Sequence, residues 1–231
     1  MKNKVILFIV CMLSFALLLV SCGAKNGQYK TEDNVTITVD GDKITEVTTQ
    51  NGEKTTIRKK NVKVLFDIEN IGSFVMELYP EYAPETVSNF LNLVDTKFYN
   101  GLIFHRVIPG FMAQGGDPEG TGRGGSDKTI KGEFANNGFS KNTLKHERGT
   151  VSMARTNDPD SASSQFFICF EDMEQLDGDY AAFGKVVYGM DTVDEIGGGA
   201  MDENDKPLVD VVIKNARIIS DNEFGKFPKE K

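Results

Sequence analysis

Apolar and polar residues alternate along Val62, Val64, Phe66 and Ile68, and again along Phe74, Met76 and Leu78. A period of two puts one side-chain set on one face of a strand. Asn70-Ile71-Gly72 between the runs supplies a turn, so a hairpin is predicted. Pro84 then opens a helix, where the missing N–H of proline removes nothing the first turn uses. Val87, Phe90, Leu91 and Val94 follow at i, i+3, i+4 and i+7, a single apolar face. Further on come short apolar segments punctuated by glycine, and a last alternating strand spans Val209 to Ile219. Strands dominate and long helical periods are rare. The pattern predicts a mainly β domain over residues 61–220, a closed antiparallel barrel with a helix or two. Roughly 160 residues suit one hydrophobic core.

The N-terminal 60 residues follow other rules. Met1-Lys2-Asn3-Lys4 is a short basic start, and Val5 to Val20 is an apolar run of 16 residues. A spanning helix needs about 20 residues, so the run reads as the core of a signal peptide over residues 1–21. Leu19-Val20-Ser21-Cys22 resembles the lipobox of bacterial lipoproteins, in which the cysteine is lipidated and becomes the new N-terminus. An uncleaved anchor or a plain secretory signal is the alternative. One acyl chain anchors only marginally; the three usual in lipoproteins would hold the chain to the cell membrane, facing outside the cytoplasm. Residues 22–60 carry Cys22, a polar tether and a possible small β-meander. In the meander Val35, Ile37 and Val39 alternate, Ile44 and Val47 follow, and Asp40-Gly41 and Asn51-Gly52 offer turns. Residues 221–231 read as a polar tail.

Charge and cysteine usage narrow the partners. Loss of Lys2 and Lys4, with no acid before Cys22, moves the net charge from −8 to −10. That balance argues against nucleic acid as a partner. Once Cys11 leaves with the signal and Cys22 carries lipid, Cys169 is alone, so no disulfide forms within the chain. The two histidines, His105 and His146, have no cysteine or acid at zinc spacing. Gly120-Thr121-Gly122-Arg123-Gly124-Gly125 lacks the Lys-Ser/Thr of a phosphate loop and reads as a surface loop. Asp202-Glu203-Asn204-Asp205 lacks the glycine and distal glutamate of a calcium loop and reads as a solvated turn. No metal and no cofactor are expected.

The densest chemistry lies in Phe104-His105-Arg106-Val107-Ile108-Pro109-Gly110-Phe111-Met112-Ala113-Gln114-Gly115-Gly116-Asp117. An arginine among Phe104, Val107, Ile108, Phe111 and Met112 is out of place in a core strand, and no carboxylate is near it in sequence. It suits a site that grips an apolar group and touches it with a guanidinium. Ser164-Gln165-Phe166-Phe167-Ile168 offers a second wall.

With Gly120-Thr121-Gly122, Leu144-Lys145-His146, Ser152-Met153-Ala154, Leu176-Asp177-Gly178 and Phe183-Gly184-Lys185-Val186, these segments run from Asn61 to Ser220 in the order and spacing of one family. The chain resembles the cyclophilins, which are peptidyl-prolyl cis–trans isomerases. The resemblance implies a closed eight-stranded antiparallel barrel with two capping helices. It also implies an X-Pro isomerase working without cofactor on proline-containing segments; joined to the lipobox, it makes exported polypeptides the expected substrates, and a monomer is expected. By the match, Arg106 stabilises the twisted amide, and Phe111, Met112, Phe167 and Leu176 wall the proline ring. Gln114 holds the arginine or bonds the substrate backbone, and Gln165 lies beside it. Ala154 and Arg155 offer backbone groups to the peptide, and His105 and Tyr180 flank the site. Three positions depart from the family pattern. Gln175 stands where tryptophan is common and implies weak cyclosporin binding; Tyr180 replaces a histidine, and Arg155 an asparagine. The competing expectation is a proline-peptide binding module, or holdase chaperone, with little turnover.

Overall fold

The structure is a computed structural model that describes residues 61–228 and, nearer the N-terminus, the backbone of four strands. Residues 1–26, with the apolar run and Cys22, lie outside the described residues, as do Gly41 and Asn51-Gly52. The chain divides into two compact units after Lys59. In the first, β1 (Gly27–Lys30), β2 (Thr36–Asp40), β3 (Lys43–Thr48) and β4 (Lys54–Thr55) pair in that order as an antiparallel sheet.

The second unit is built on eight strands. The predicted hairpin is β5 (Val62–Ile68) and β6 (Gly72–Leu78), in unbroken register from Val62↔Leu78 to Ile68↔Gly72, with Asn70 in left-handed backbone at the turn. Then come β7 (Phe104–Ile108), β8 (Met112–Gly115), β9 (Thr150–Met153), β10 (Phe166–Cys169), β11 (Ala182–Tyr188) and β12 (Ile213–Ile219). They lie in the order β12-β5-β6-β11-β9-β10-β8-β7, and every pairing is antiparallel.

The ladder is a half-barrel and not the closed barrel expected. β12 and β7 stand at its two ends, and the segments beside them meet at one bridge, Ile103↔Val212. The physical reason is that a loop has taken the outer edge of β7. Phe104 N donates to Val211 O (3.0 Å) and Val107 N to Asp205 O (2.7 Å), so the edge is satisfied without a partner strand.

Two helices pack on the sheet, α1 (Pro84–Asp95) and α2 (Met190–Gly197). α1 has Pro84 in its first turn and buries the predicted stripe Val87, Phe90, Leu91 and Val94. Ala83 gives this helix no side-chain cap; the cap comes from 48 residues away. Glu133 accepts from Glu85 N (3.0 Å), Thr86 N (2.8 Å) and Thr86 Oγ1 (2.7 Å). Burial pushes the Glu133 carboxyl above the usual range, against the pull of those bonds. Phe90 enters an aromatic core of Phe66, Tyr99, Phe166 and Phe183, with centroids 4.9–6.3 Å away, and Phe66 stacks on Phe74 at 5.2 Å.

The stretch expected to be a polar tail begins with a one-turn helix, α3 (Asp221–Phe224), capped by Ser220 Oγ. Phe224 and Phe227 pack with Tyr188 over Leu65, Val75 and Ile219, so apolar burial carries the unit past residue 220. Among the described residues no helix is long and apolar enough to cross a membrane.

Candidate active site

Strand register brings the site together. Arg106 on β7 faces Gln114 on β8, and Gln114 faces Phe167 on β10, so three side chains from distant segments stand in a row across three strands. A bulge between Phe104 and Arg106 sets their orientation. Phe104 and His105 are both buried in succession, and Arg106 then emerges at the surface. An extra residue on one strand re-aims the side chains that follow it.

Below this row lies an apolar cluster separate from the main core. Met112, Phe167, Cys169 and Met173 form its buried part, and Ile108, Phe111, Ala154, Leu176 and Tyr180 its partly open rim. Tyr180 meets the Phe167 ring edge-on at 5.8 Å. The cluster floors a cleft of about 600 Å³ lined by His105, Arg106, Phe111, Met112, Gln114, Ala154, Arg155, Phe167, Leu176 and Tyr180. Of the expected cleft residues, all of them among the described residues, only Gln165 stays behind the lining. It acts through others: Gln114 Nε2 donates to Gln165 Oε1 (2.7 Å), and Gln165 Nε2 donates to Gly124 O (2.7 Å) and Gly122 O (3.1 Å).

Arg106 is not buried without a carboxylate; its side chain is 44% exposed, and its Nε lies 3.5 Å from Asp205 Oδ2. Gln114 turns its amide donor to Gln165. The Arg155 side chain is tied down at the cleft wall. Its Nε and Nη2 donate to Asp179 O (3.1 and 2.9 Å), and its guanidinium lies 4.7 Å over the Tyr180 ring and 5.1 Å over Phe134. Arg155 thus clamps a wall of the pocket. The Ala154 N–H is spent on Gln165 O (3.0 Å).

The glycine loop lines the cleft through Gly120, Thr121 and Gly122, and Asp117 shapes it. Buried Asp117 accepts from Glu119 N (2.8 Å), Thr121 N (2.9 Å) and Gly122 N (2.6 Å). Burial acts to raise its pKa, yet the backbone N–H groups hold it below the usual carboxylate range. A Cβ on Gly124 would stand 2.1 Å from Asp117 Oδ1, so only glycine lets the loop close on the carboxylate. His105 lies beneath this loop with both ring nitrogens unpartnered among the described residues, and burial lowers its pKa.

Asp177, His146 and Ser152 have the contacts of a hydrolytic triad: Nδ1 is 3.0 Å from Asp177 Oδ1, and Nε2 is 3.0 Å from Ser152 Oγ. Ser152 is 0% exposed and His146 2%, so no substrate reaches the hydroxyl. The set is a fastening that holds the 174–180 turn to β9, and the His146 ring stacks on Phe167 at 6.1 Å. Burial also pushes the Cys169 thiol up to about 12, which removes it as a nucleophile. No cluster of metal-ligating side chains occurs among the described residues. Sequence reasoning missed Asp202, Asn204 and Asp205, read as a solvated turn, and Lys206, which it does not single out; they line or abut the cleft. Only their distance from Arg106 along the chain hid them.

The fold and site together are an antiparallel half-barrel with an apolar cleft and a guanidinium at its lip. The chain belongs to the cyclophilin-type peptidyl-prolyl cis–trans isomerases: the family model "Cyclophilin type peptidyl-prolyl cis-trans isomerase/CLD" matches residues 63–218. A Helicobacter pylori peptidyl-prolyl cis-trans isomerase is 47% identical over 137 residues, 58% of this chain and 80% of that protein. A peptidyl-prolyl cis-trans isomerase-like 1 from Aspergillus niger is 43% identical over 159 residues, 68% of this chain and 95% of the relative. Of a longer isomerase-like 2 protein from Gibberella zeae, 40% identical, the chain spans 27% of the length. Among solved structures, a Cryptosporidium parvum cyclophilin superposes with TM-score 0.65 at 34% identity, covering 70% of this chain and 99% of that one. The same protein, crystallised in the presence of the dipeptide Ala-Pro, gives TM-score 0.63 at 35% identity, covering 69% and 99%. The domain is accordingly a peptidyl-prolyl isomerase.

Proposed function

We propose that Arg106 is the electrophile of this isomerase, acting on X-Pro bonds of exported polypeptides from a lipid-anchored position outside the cytoplasm. Rotation about a peptide bond faces a barrier of about 18–20 kcal/mol, because the nitrogen shares its lone pair with the carbonyl. The two X-Pro isomers differ by about 1 kcal/mol yet exchange over tens to hundreds of seconds. Lowering that barrier takes a grip on the ring and a donor to the twisted amide. Phe111, Met112, Phe167 and Leu176 supply an apolar seat, and the guanidinium at its lip supplies the donor. The row Arg106–Gln114–Phe167 across β7, β8 and β10 carries this reading.

The test is the isomerisation rate of a short X-Pro peptide with the full chain and with Arg106→Ala. Fast exchange that is lost in the variant supports the electrophile. Peptide binding with exchange at the uncatalysed rate would identify a proline-peptide binding module or holdase instead. The anchor and the exported clients rest on the Val5–Val20 run and Cys22. Release of the protein from the membrane fraction by Cys22→Ser supports them; unchanged retention sinks them.

A further inference from the structure

We infer that Asp205 is a positioning residue that holds the Arg106 guanidinium for the reaction, an inference resting on Arg106 as the electrophile. The charge pair is direct, with Arg106 Nε 3.5 Å from Asp205 Oδ2. It engages the inner nitrogen and so leaves the two terminal amino groups for the substrate. Gln114, the other neighbour in register, turns its amide donor to Gln165.

The backbone is built to place this carboxylate. Asp205 has φ +64, a left-handed conformation that a β-carbon makes unfavourable. Such strain persists only where surrounding bonds enforce it, and it gathers at functional sites. Here the bonds are explicit. Asp205 O accepts from Val107 N (2.7 Å), which pins the loop to β7 one residue beyond Arg106. Asp202 Oδ1 accepts from Asn204 N (2.8 Å) and Lys206 N (2.9 Å), Asp202 N donates to Lys206 O (2.8 Å), and Asp205 N donates to Asp202 O (3.2 Å). The bridge Met201↔Pro207 closes the base of the turn. The segment is a wound clasp that presents one carboxylate to the guanidinium of the adjoining strand. Both side chains are near 45% exposed, so the interaction is weak and screened by salt.

The experiment compares the full chain with Asp205→Gly, which removes the carboxylate and relieves the backbone, and with Asp205→Asn, which keeps size and tolerates φ > 0. Expected is a fall in kcat of about fivefold for both, the upper end for an exposed pair, with peptide Kd within about twofold of wild type. In about 1 M salt, where charges are screened beyond about 3 Å, the wild-type rate drops towards theirs while theirs stays level. Wild-type or faster turnover by either variant, or a loss confined to Kd, overturns the inference. Arg106→Ala in the same series separates the two readings. If that variant keeps its activity, the electrophile assignment fails and this inference with it. If it is inactive while Asp205→Gly is normal, only the positioning role fails.

Discussion

Gln114 Nε2 donates to Gln165 Oε1 at 2.7 Å, and the Gln165 amide then reaches across to the carbonyls of Gly122 and Gly124. One side chain therefore couples the strand beside Arg106 to the glycine loop that lines the cleft. Its residue is not part of the cleft lining, so its effect on catalysis is through the geometry of its partners.

Replacing Gln165 tests that coupling. Gln165→Ala removes all three bonds; Gln165→Glu keeps an acceptor for Gln114 but replaces the Nε2 donor with a carboxylate oxygen that faces the two carbonyl oxygens. Both variants are expected to lose about tenfold in kcat/KM, since the donors set the loop and each bond is worth about 1 kcal/mol. Retention of activity by Gln165→Glu would show that the Gln114 contact alone matters.

Asp117 carries the loop from inside. Asp117→Ala strands three N–H groups and is expected to cost about 2–3 kcal/mol, roughly 4–12 °C in the unfolding midpoint of a unit this size. The pH dependence has a definite sign. The folded pKa lies below the ordinary aspartate value of 3.8, so the stabilisation is present above pH 3.8 and is lost as pH falls through the folded value. Thermal melts from pH 7 to pH 2.5 check both points, with Asp117→Ala lacking that part of the acid limb.

The two histidines act at milder pH. Burial lowers both His105 and His146 below 6.5, with Asp117 and Asp177 respectively opposing it. The unfolded chain then binds more protons than the folded one between those lowered values and 6.5, so stability rises with pH across that window. Urea unfolding is expected to show full stability above pH 6.5 and a decline on acidification from there. In the double variant His105→Gln, His146→Gln the decline begins only where carboxylates titrate. A wild-type profile level from pH 7 to pH 5 would contradict the burial of these rings.

Gln175, which the resemblance sets where tryptophan is common, has its Nε2 donating to Met173 Sδ at 3.3 Å. An indole N–H at that place would add one donor at the rim. Gln175→Trp is expected to tighten cyclosporin binding by about tenfold, the worth of one good hydrogen bond. Calorimetric titration of the two proteins reads this directly, and equal affinities would place the contact elsewhere.

Much of this molecule is written locally. Alternation over Val62–Ile68 and Phe74–Leu78 names two strands and their buried face, and Pro84 with Val87, Phe90, Leu91 and Val94 names a helix and its stripe. Arg106, Phe111, Met112, Gln114 and Phe167 stand out because their segments match a family over its whole length, and the structure gathers all five at one cleft. What the chain does not write locally are polar partnerships between remote segments. Glu133 capping α1, the bulge after Phe104, the open end of the ladder and Asp205 beside Arg106 each depend on strand order and register. Hydrophobic periodicity has a range of a few residues, because it reports which face of one element is buried. A lone carboxylate in a polar loop looks the same whether it meets water or a guanidinium 99 positions earlier in the chain. Only the folded backbone, by closing that loop against the edge of β7, decides between them.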